Sequence, residues 1–130
     1  MYLDANFFIF AYNDGGKKGK KAREILEEIT TTKRAITSAL ALDEVMWVLK
    51  RNNQSSEMQE LVQQIYSINN LEVKEVPARI PLLALHFIEI DNLKPRDAFH
   101  AAIMEHNGIT EIISDDSDFD KITWVKRIGF

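Results

Sequence analysis

Short apolar segments alternate with segments of helical spacing along this chain of 130 residues. With Met1–Leu3, Arg34–Thr37, Leu71–Val76 and Ile112–Ser114 as strand-like runs, this order predicts an α/β domain whose central, mostly parallel sheet has short strands. The length suits one domain with one core, spanning residues 1–130. We find no internal repeat and no interdomain linker in the sequence.

The first half of the chain contains two clear helical patterns. Ala39–Arg51 is strongly helical, and Thr37 or Ser38 is available to cap it. Ala5–Tyr12 is apolar and aromatic, and its length fits either a continuation of the first strand or a helix. Lys17–Thr30 is predicted to be a helix because its apolar residues share one face, namely Ala22, Ile25, Leu26 and Ile29.

In the second half, proline, serine and glycine mark the element ends. Ser55 or Ser56 could cap a helix that runs to about Ser67, and Pro77 ends the third strand. Pro81–Ile90 is an apolar helix. The remaining predictions are a helix from Pro95 to about Asn107, a loop or helical turn at Asp118–Ile122 and a last strand at Thr123–Lys126.

Composition excludes several classes of protein. The chain has no cysteine, which rules out disulfides, thiolate zinc sites and a thiol nucleophile, and fits a reducing compartment. No apolar run approaches the roughly 18–20 residues that span a bilayer. The Met1–Asp4 start has no basic region typical of a signal peptide. We therefore expect a cytoplasmic protein.

The net charge of −4 is unusual for a nucleic-acid-binding protein, since such proteins are usually basic. Acidic residues grouped at a metal site would explain it, because bound cations would cancel them locally. The basic residues are themselves clustered, and one cluster, which begins with Lys17 and Lys18, follows a flexible Asn13–Gly16 turn. These clusters are interpreted as solvated faces, or as a rim that holds phosphates.

Four acidic groups are the most informative feature of the sequence. They are Asp4, Glu44, Asp97 and the cluster Ser114–Asp118, and each lies where a strand ends or where a helix begins or runs. Ligands of such sheets bind beyond the carboxyl ends of the strands, so these carboxylates can converge. Converged carboxylates repel one another, and a divalent cation such as Mg²⁺ relieves the repulsion while it also binds phosphate. The pattern therefore points to phosphodiester cleavage.

Each acidic group also has a purely structural interpretation. Asp4 could cap a helix, and Asp97 could stabilise the first turn of its helix through the dipole. Glu44 could be a surface residue paired with Arg51, and Ser114–Asp118 could be a turn. These alternatives explain the residues singly but leave their joint occurrence unexplained.

The combination resembles the PIN-domain nucleases, and among them the VapC-type toxins of toxin–antitoxin pairs. The resemblance covers the whole chain and rests on four segments in order, of which the third is the most specific. The segments are Leu3-Asp4-Ala5-Asn6, Leu42-Asp43-Glu44-Val45-Met46-Trp47-Val48-Leu49, Arg96-Asp97-Ala98-Phe99-His100-Ala101-Ala102 and Ile113-Ser114-Asp115-Asp116-Ser117-Asp118-Phe119-Asp120. It implies a PIN-like three-layer α/β/α fold and an endoribonuclease that depends on Mg²⁺ or Mn²⁺.

By the resemblance, Asp4 and Asp97 are the principal metal ligands. Glu44 and Asp116 complete the acidic pocket, where they bind a second ion or orient water. The fourth segment is crowded with acids, and we prefer Asp116, then Asp118, as its ligand. In-line attack on the phosphodiester would leave a 5′-phosphate and a 3′-hydroxyl.

Five further residues are expected to support the site. Asn6 and Ser114 would hold a carboxylate or a substrate oxygen. The chain has no room for an added recognition domain, so basic side chains such as Lys17, Lys18 and Arg96 would contribute to substrate choice. The substrate implied is a structured RNA such as tRNA or rRNA, or an mRNA.

No histidine is needed as a general base in this scheme. His86 lies in an apolar helix, and His100 and His106 face different ways on another, so all three are interpreted as packing or surface residues. His100 alone could come near the site, through its closeness to Asp97.

The resemblance further implies a homodimer inhibited by an antitoxin whose C-terminal segment occupies the active-site groove. Two alternatives remain open. One is a housekeeping PIN-domain nuclease of RNA processing. The other is a non-enzymatic α/β module that binds Mg²⁺, for which the positions of the acids fit poorly.

Overall fold

The computed structural model describes residues 1–130 and contains one five-stranded sheet in which all neighbouring strands are parallel. The strand order is β3-β2-β1-β4-β5. The expected mostly parallel sheet of short strands is therefore confirmed. The strands are β1 at Tyr2–Leu3, β2 at Ala35–Ser38, β3 at Leu71–Lys74, β4 at Glu111–Ile113 and β5 at Lys126–Ile128.

Six α-helices connect these strands. They are α1 at Ala5–Asn13, α2 at Lys17–Thr31, α3 at Ala39–Arg51, α4 at Met58–Tyr66, α5 at Ile80–Asp91 and α6 at Pro95–His106. Short 3₁₀ turns lie at Ser55–Glu57 and Ser117–Lys121. The undecided Ala5–Tyr12 segment is helical, because Asp4 caps it and ends the first strand.

The sheet separates two apolar cores. Side chains of α1 to α4 fill one core, in which Leu3 and Phe7 are fully buried. Helices α5 and α6 pack on the other face, around Phe87 and Ile103. Tyr2 and its neighbour Leu3 enter opposite cores, because successive strand residues point to opposite faces. The three-layer α/β/α expectation is confirmed.

The predicted last strand is wrong by several residues. Residues 123–124 form a turn, residue 125 is irregular, and the strand runs from Lys126 to Ile128. Trp124 and Val125 are apolar because they pack against the second core from that turn. At the sheet edge β5 can be largely polar, so the apolar run indicates burial here and not strand.

The topology places a crevice between β1 and β4. The chain moves outward from β1 to β2 and β3, and then returns to add β4 and β5 on the other side of β1. Ligands of open α/β sheets bind at this reversal, beyond the carboxyl ends of the strands. Asp4 follows β1 and Ser114 follows β4, so both lie at the crevice.

No helix combines the length and the apolar composition needed to cross a membrane.

Candidate metal centre

A cavity of about 380 Å³ opens at the reversal point of the sheet and brings together the four predicted acids. Asp4 comes from the end of β1, Glu44 from α3, Asp97 from the first turn of α6 and Asp116 from the loop after β4. Sequence separations of up to about a hundred residues thus close at one point, as the sequence predicts.

Asp4 is the most buried carboxylate of the pocket, with 6% of its surface exposed. Its Oδ1 accepts a hydrogen bond from the Ala5 amide at 2.7 Å, and its Oδ2 accepts one from Ser114 Oγ at 2.7 Å. Burial raises the pKa of Asp4, while the Ser114 and Ala5 hydrogen bonds act in the opposite direction. Asp4 therefore serves as the cap of α1 and also as a wall of the cavity.

Glu44 does not form the ion pair with Arg51 that its purely structural interpretation assumed. Its Oε1 lies 3.1 Å from His100 Nε2 and 3.3 Å from Arg96 Nε. These partners reach Glu44 from α6, so the acid of α3 is fixed across the crevice. Arg96, which the sequence analysis expects to contribute to substrate choice, lines the cavity.

His100 is the site residue that the sequence argument underestimated. Its ring is 1% exposed, and Nε2 lies 3.8 Å from Asp4 Oδ1 in addition to its bond with Glu44. Burial disfavours the imidazolium, but the Glu44 hydrogen bond and the Asp4 and Glu44 charges raise the pKa of His100. The signal was its spacing: a residue three positions after Asp97 shares a face with it on α6.

The second part of the site contains three aspartates: Asp97 and Asp116 line the cavity, and Asp118 lies beside them, outside its lining. Burial first, and then the charge of Asp116, raises the pKa of Asp97 to about 6. Asp118 behaves differently, because its carboxylate lies 2.8 Å from Lys121 Nζ and 3.4 Å from Lys94 Nζ. Those lysines lower the pKa of Asp118.

Ser114 and Asn6 link the two parts of the pocket. Besides donating to Asp4, Ser114 Oγ accepts hydrogen bonds from Asn6 Nδ2 at 3.1 Å and from the Asp116 amide at 3.0 Å. Asn6 Oδ1 accepts a hydrogen bond from the Asp115 amide at 3.3 Å. The two polar residues that were expected to hold a carboxylate therefore lie beside one.

Comparison with known proteins agrees with this geometry. The family model described as the PIN domain matches residues 1–125. This chain belongs to the PIN-domain family. The identification from the four acidic segments is thereby confirmed. No curated protein matches the chain significantly in sequence.

Several solved structures share the fold of this PIN domain. The Mycobacterium tuberculosis toxin VapC20, described as cleaving the sarcin–ricin loop, is 20% identical with a TM-score of 0.79, and the match covers 95% of each chain. A chain of VapBC2 from Rickettsia felis, bound to a promoter DNA fragment, is 15% identical with a TM-score of 0.76, covering 98% of this chain and 96% of its own. A chain of DNA-bound VapBC from Salmonella typhimurium is 16% identical with a TM-score of 0.71, and the match covers 98% of this chain and 96% of its own.

Basic and aromatic residues form the outer wall of the PIN-domain pocket. Trp47 and Arg51 line the cavity one and two turns after Glu44, and neither was proposed from the sequence. Lys18 is held at 2.7 Å by Asp115, next to the pocket acid Asp116. Lys17 is exposed and does not line the cavity.

The donor atoms fit a divalent cation. One set consists of Asp4, Glu44 and His100 and the other of Asp97, Asp116 and Asp118, and the ligand atoms of each set lie within 4.8 Å of one another. Carboxylate oxygens are the ligands that Mg²⁺ prefers. A cation would also relieve the repulsion between Asp97 and Asp116, which already shows in the raised pKa of Asp97.

Proposed function

We propose that this PIN domain is a metal-dependent endoribonuclease and the toxin of a VapBC-like toxin–antitoxin pair. The observation that carries the proposal is the convergence of Asp4, Glu44, Asp97 and Asp116, from four separate elements, into one open cavity. A fold held together by its apolar cores has no need of such a cluster, which costs stability through repulsion. Phosphodiester cleavage gives it a use.

In this proposal Asp4 and Asp97 hold Mg²⁺ or Mn²⁺, and Glu44 and Asp116 complete the ligand set or orient the attacking water. The bound cation would polarise the phosphodiester and lower the pKa of water. Ser114 keeps Asp4 oriented through its 2.7 Å hydrogen bond. Asp118 stays a candidate ligand, but it would first have to exchange its lysine partners for the ion.

RNA is the proposed substrate, with tRNA, rRNA and mRNA as candidates. Arg96 and Arg51 lie on the cavity wall, where a guanidinium can bind phosphate oxygens in pairs. Lys17 and Lys18 extend the basic surface beyond the pocket. Support for a nucleic-acid substrate also comes from the similar fold of VapC20, a toxin described as cleaving the sarcin–ricin loop.

The proposed partners are a cognate antitoxin and a second copy of the chain. Several proteins of similar fold are toxin–antitoxin complexes. The cavity is open, and its acidic floor adjoins the apolar side chains of Ile9, Trp47 and Val48, so an antitoxin segment with a basic and an apolar residue would fit it. A toxin that acts on cellular RNA would work in the cytoplasm.

The first test is cleavage of total RNA by purified protein with EDTA, Mg²⁺ or Mn²⁺. Asp4→Asn and Asp97→Asn should each lose more activity than the about 10–100-fold typical of residues outside the ligand set. Asp43→Asn is the matched control, since Asp43 is exposed beside Glu44 and outside the cavity. Equal cleavage by all four proteins would overturn the proposal.

A second experiment separates the toxin from a housekeeping nuclease. Expression of the wild-type chain should arrest growth, and co-expression of a small protein encoded beside it should relieve the arrest. The Asp97→Asn variant should be harmless and still bind that protein. Robust growth with fully active enzyme would favour the housekeeping role.

A further inference from the structure

A chain of buried hydrogen bonds reaches the pocket from behind. Ser38 Oγ lies 2.7 Å from Tyr2 Oη, which lies 2.6 Å from His100 Nδ1. His100 Nε2 then lies 3.1 Å from Glu44 Oε1. Ser38, Tyr2 and His100 are each no more than 1% exposed, so these hydrogen bonds are shielded from the solvent. The chain therefore connects the cap of α3 to a carboxylate of the cavity.

The acceptors determine which group donates in each of these hydrogen bonds. The Glu44 carboxylate only accepts, so His100 Nε2 carries a proton and donates it. In the neutral ring, Nδ1 is then free to accept the Tyr2 hydroxyl, and Ser38 donates to the Tyr2 oxygen. Ser38 Oγ in turn accepts the Ala41 amide at 3.2 Å. Every polar side-chain atom in this row of hydrogen bonds has a partner. In the charged ring Nε2 also donates to Glu44.

The surroundings are otherwise apolar. Tyr2 belongs to the second core, and His100 packs edge-on against the buried Phe119 with the ring centroids 6.4 Å apart. Phenylalanine at position 2 and a hydrophobic residue at position 100 would fill this space without polar atoms to satisfy. A histidine that only filled space in the core would need no hydrogen-bond partner in the cavity, whereas His100 bonds the cavity carboxylate of Glu44.

We propose that His100 is a positioning residue, which holds the Glu44 carboxylate in place for metal and substrate while Tyr2 and Ser38 fix its ring. The inference rests on the proposed function, since it gives Glu44 a task to be positioned for. Tyr2 is a strand residue that does not line the cavity, so it acts through His100 alone. The rival interpretation makes His100 Nε2 itself a ligand of the cation.

Two substitutions of His100 separate donation from packing. Glutamine places an amide nitrogen close to the position of Nε2 and can still donate to Glu44, whereas asparagine reaches only the position of Nδ1. We expect His100→Asn to lower kcat for RNA cleavage about 10–100-fold with little change in KM, and His100→Gln to recover most of the loss. Equal losses in both variants, in proportion to their loss of thermal stability, would mean that the residue only packs.

The matched pair Tyr2→Phe and Tyr12→Phe tests the chain behind the ring. Each variant removes one hydroxyl, but Tyr12 bonds Glu57 at the surface, away from the cavity. Tyr2→Phe should lower kcat about three- to tenfold, the loss expected for one hydrogen bond, at unchanged KM. Tyr12→Phe should match the wild type. A Tyr2→Phe protein with reduced stability and full kcat would overturn the inference.

Mn²⁺ affinity gives a readout that does not require cleavage. If His100 positions Glu44, His100→Asn should bind Mn²⁺ about 10–100-fold more weakly, and His100→Gln should stay close to the wild type. If His100 is a ligand, both should bind equally weakly, which would overturn the inference. A wild-type protein that fails to cleave RNA would remove the proposed function, and these Mn²⁺ affinities would still decide the role of His100.

Discussion

The two parts of the acidic pocket compensate their negative charge in different ways. In the inner part, Asp4 is held by the buried Ser114 Oγ, and Glu44 is held by the buried His100 Nε2 together with the partly exposed Arg96. In the outer part, Asp97 and Asp116 face each other, and the nearby cations are exposed lysines that bind Asp118. The protein's own groups therefore offset the negative charge of the inner part, whereas some of the negative charge of the outer part has no partner.

This difference shows which part of the site is formed before an ion binds. Hydrogen bonds from buried groups fix a carboxylate in one orientation, because the alternative is an unsatisfied buried acceptor. Exposed lysines fix little, since solvent screens them and their side chains are mobile. Burial first, and then the uncompensated charge of Asp116, raises the pKa of Asp97 to about 6. An incoming cation should therefore order the outer part and leave the inner part nearly unchanged.

The largest expected effect distinguishes the two candidates for the fourth ligand. Asp116→Asn removes a charge beside Asp97 but keeps an oxygen that can accept the Asp118 amide, now 2.9 Å from Asp116 Oδ1. We expect Asp116→Asn to lower the cleavage rate more than about a hundredfold, beyond the range for residues that only support the metal ligands. Asp118→Asn should lower it less than about tenfold. Initial rates at saturating Mg²⁺ measure both. Equal losses would make Asp118 a ligand and break the distinction between a lysine-bound and a metal-bound acid.

The next effect concerns the link between the two parts. Ser114→Ala removes the donor to Asp4 and the acceptor of Asn6 and the Asp116 amide. It should lower the free energy of unfolding by about 1–3 kcal/mol, because buried polar groups lose their partner, and lower the cleavage rate about 10–100-fold. Denaturant unfolding and initial rates measure these changes. The exposed Ser117→Ala is the control, and a Ser114→Ala protein with unchanged activity would show that the two parts work independently.

The sequence predicted the parts of the site that follow from strand ends. Asp4 and Ser114 follow apolar strands, and parallel strands bring their carboxyl ends to one edge, so their meeting required no knowledge of side-chain packing. Asp97 was identified within its motif. The sheet and the helices follow from the same periodicity, with Ala5–Tyr12 decided only by the cap at Asp4.

The remaining features depend on contacts between elements, which periodicity does not encode. Glu44 on α3 pairs with residues of α6, because the two helices meet across the crevice, and this could not be read from a helical wheel of α3 alone. His100 looked like a core residue because it is one, and its second role depends on which side chain stands at Nε2. Trp124 shows the reverse case, since burial in a turn resembled a strand.

A smaller effect concerns pH and tests whether burial and the neighbouring acids raise the pKa of Asp97. The pKa of Asp97 is about 6 in the folded chain and its ordinary value is 3.8, so the native state binds the proton more tightly than the unfolded state does. Its contribution to stability is complete below about pH 4 and is lost as the pH rises through 6. Without metal, Asp97→Asn should therefore be more stable than the wild type at pH 7, by about 1 kcal/mol after solvent screening.

Thermal unfolding from pH 4 to 7.5, without metal, measures this difference. It should be near zero at the acid end and grow through pH 6. Added Mg²⁺ should raise the melting temperature of the wild type more than that of Asp97→Asn, since binding to the native state stabilises it. A constant difference across the range would mean that burial and the neighbouring carboxylates do not raise the pKa of Asp97.

The smallest effect concerns the exposed lysines, and it tests whether they hold Asp118 only weakly. Lys121→Met removes the cation 2.8 Å from Asp118, on a side chain that is 44% exposed. Because exposed ion pairs contribute little, we expect almost no change in the unfolding free energy. Lys20→Met, which breaks another exposed pair, with Glu24, is the control. A double-mutant cycle with Asp118→Asn isolates the coupling between Lys121 and Asp118, and a coupling clearly above the error of the cycle would mean that lysines order the outer part without an ion.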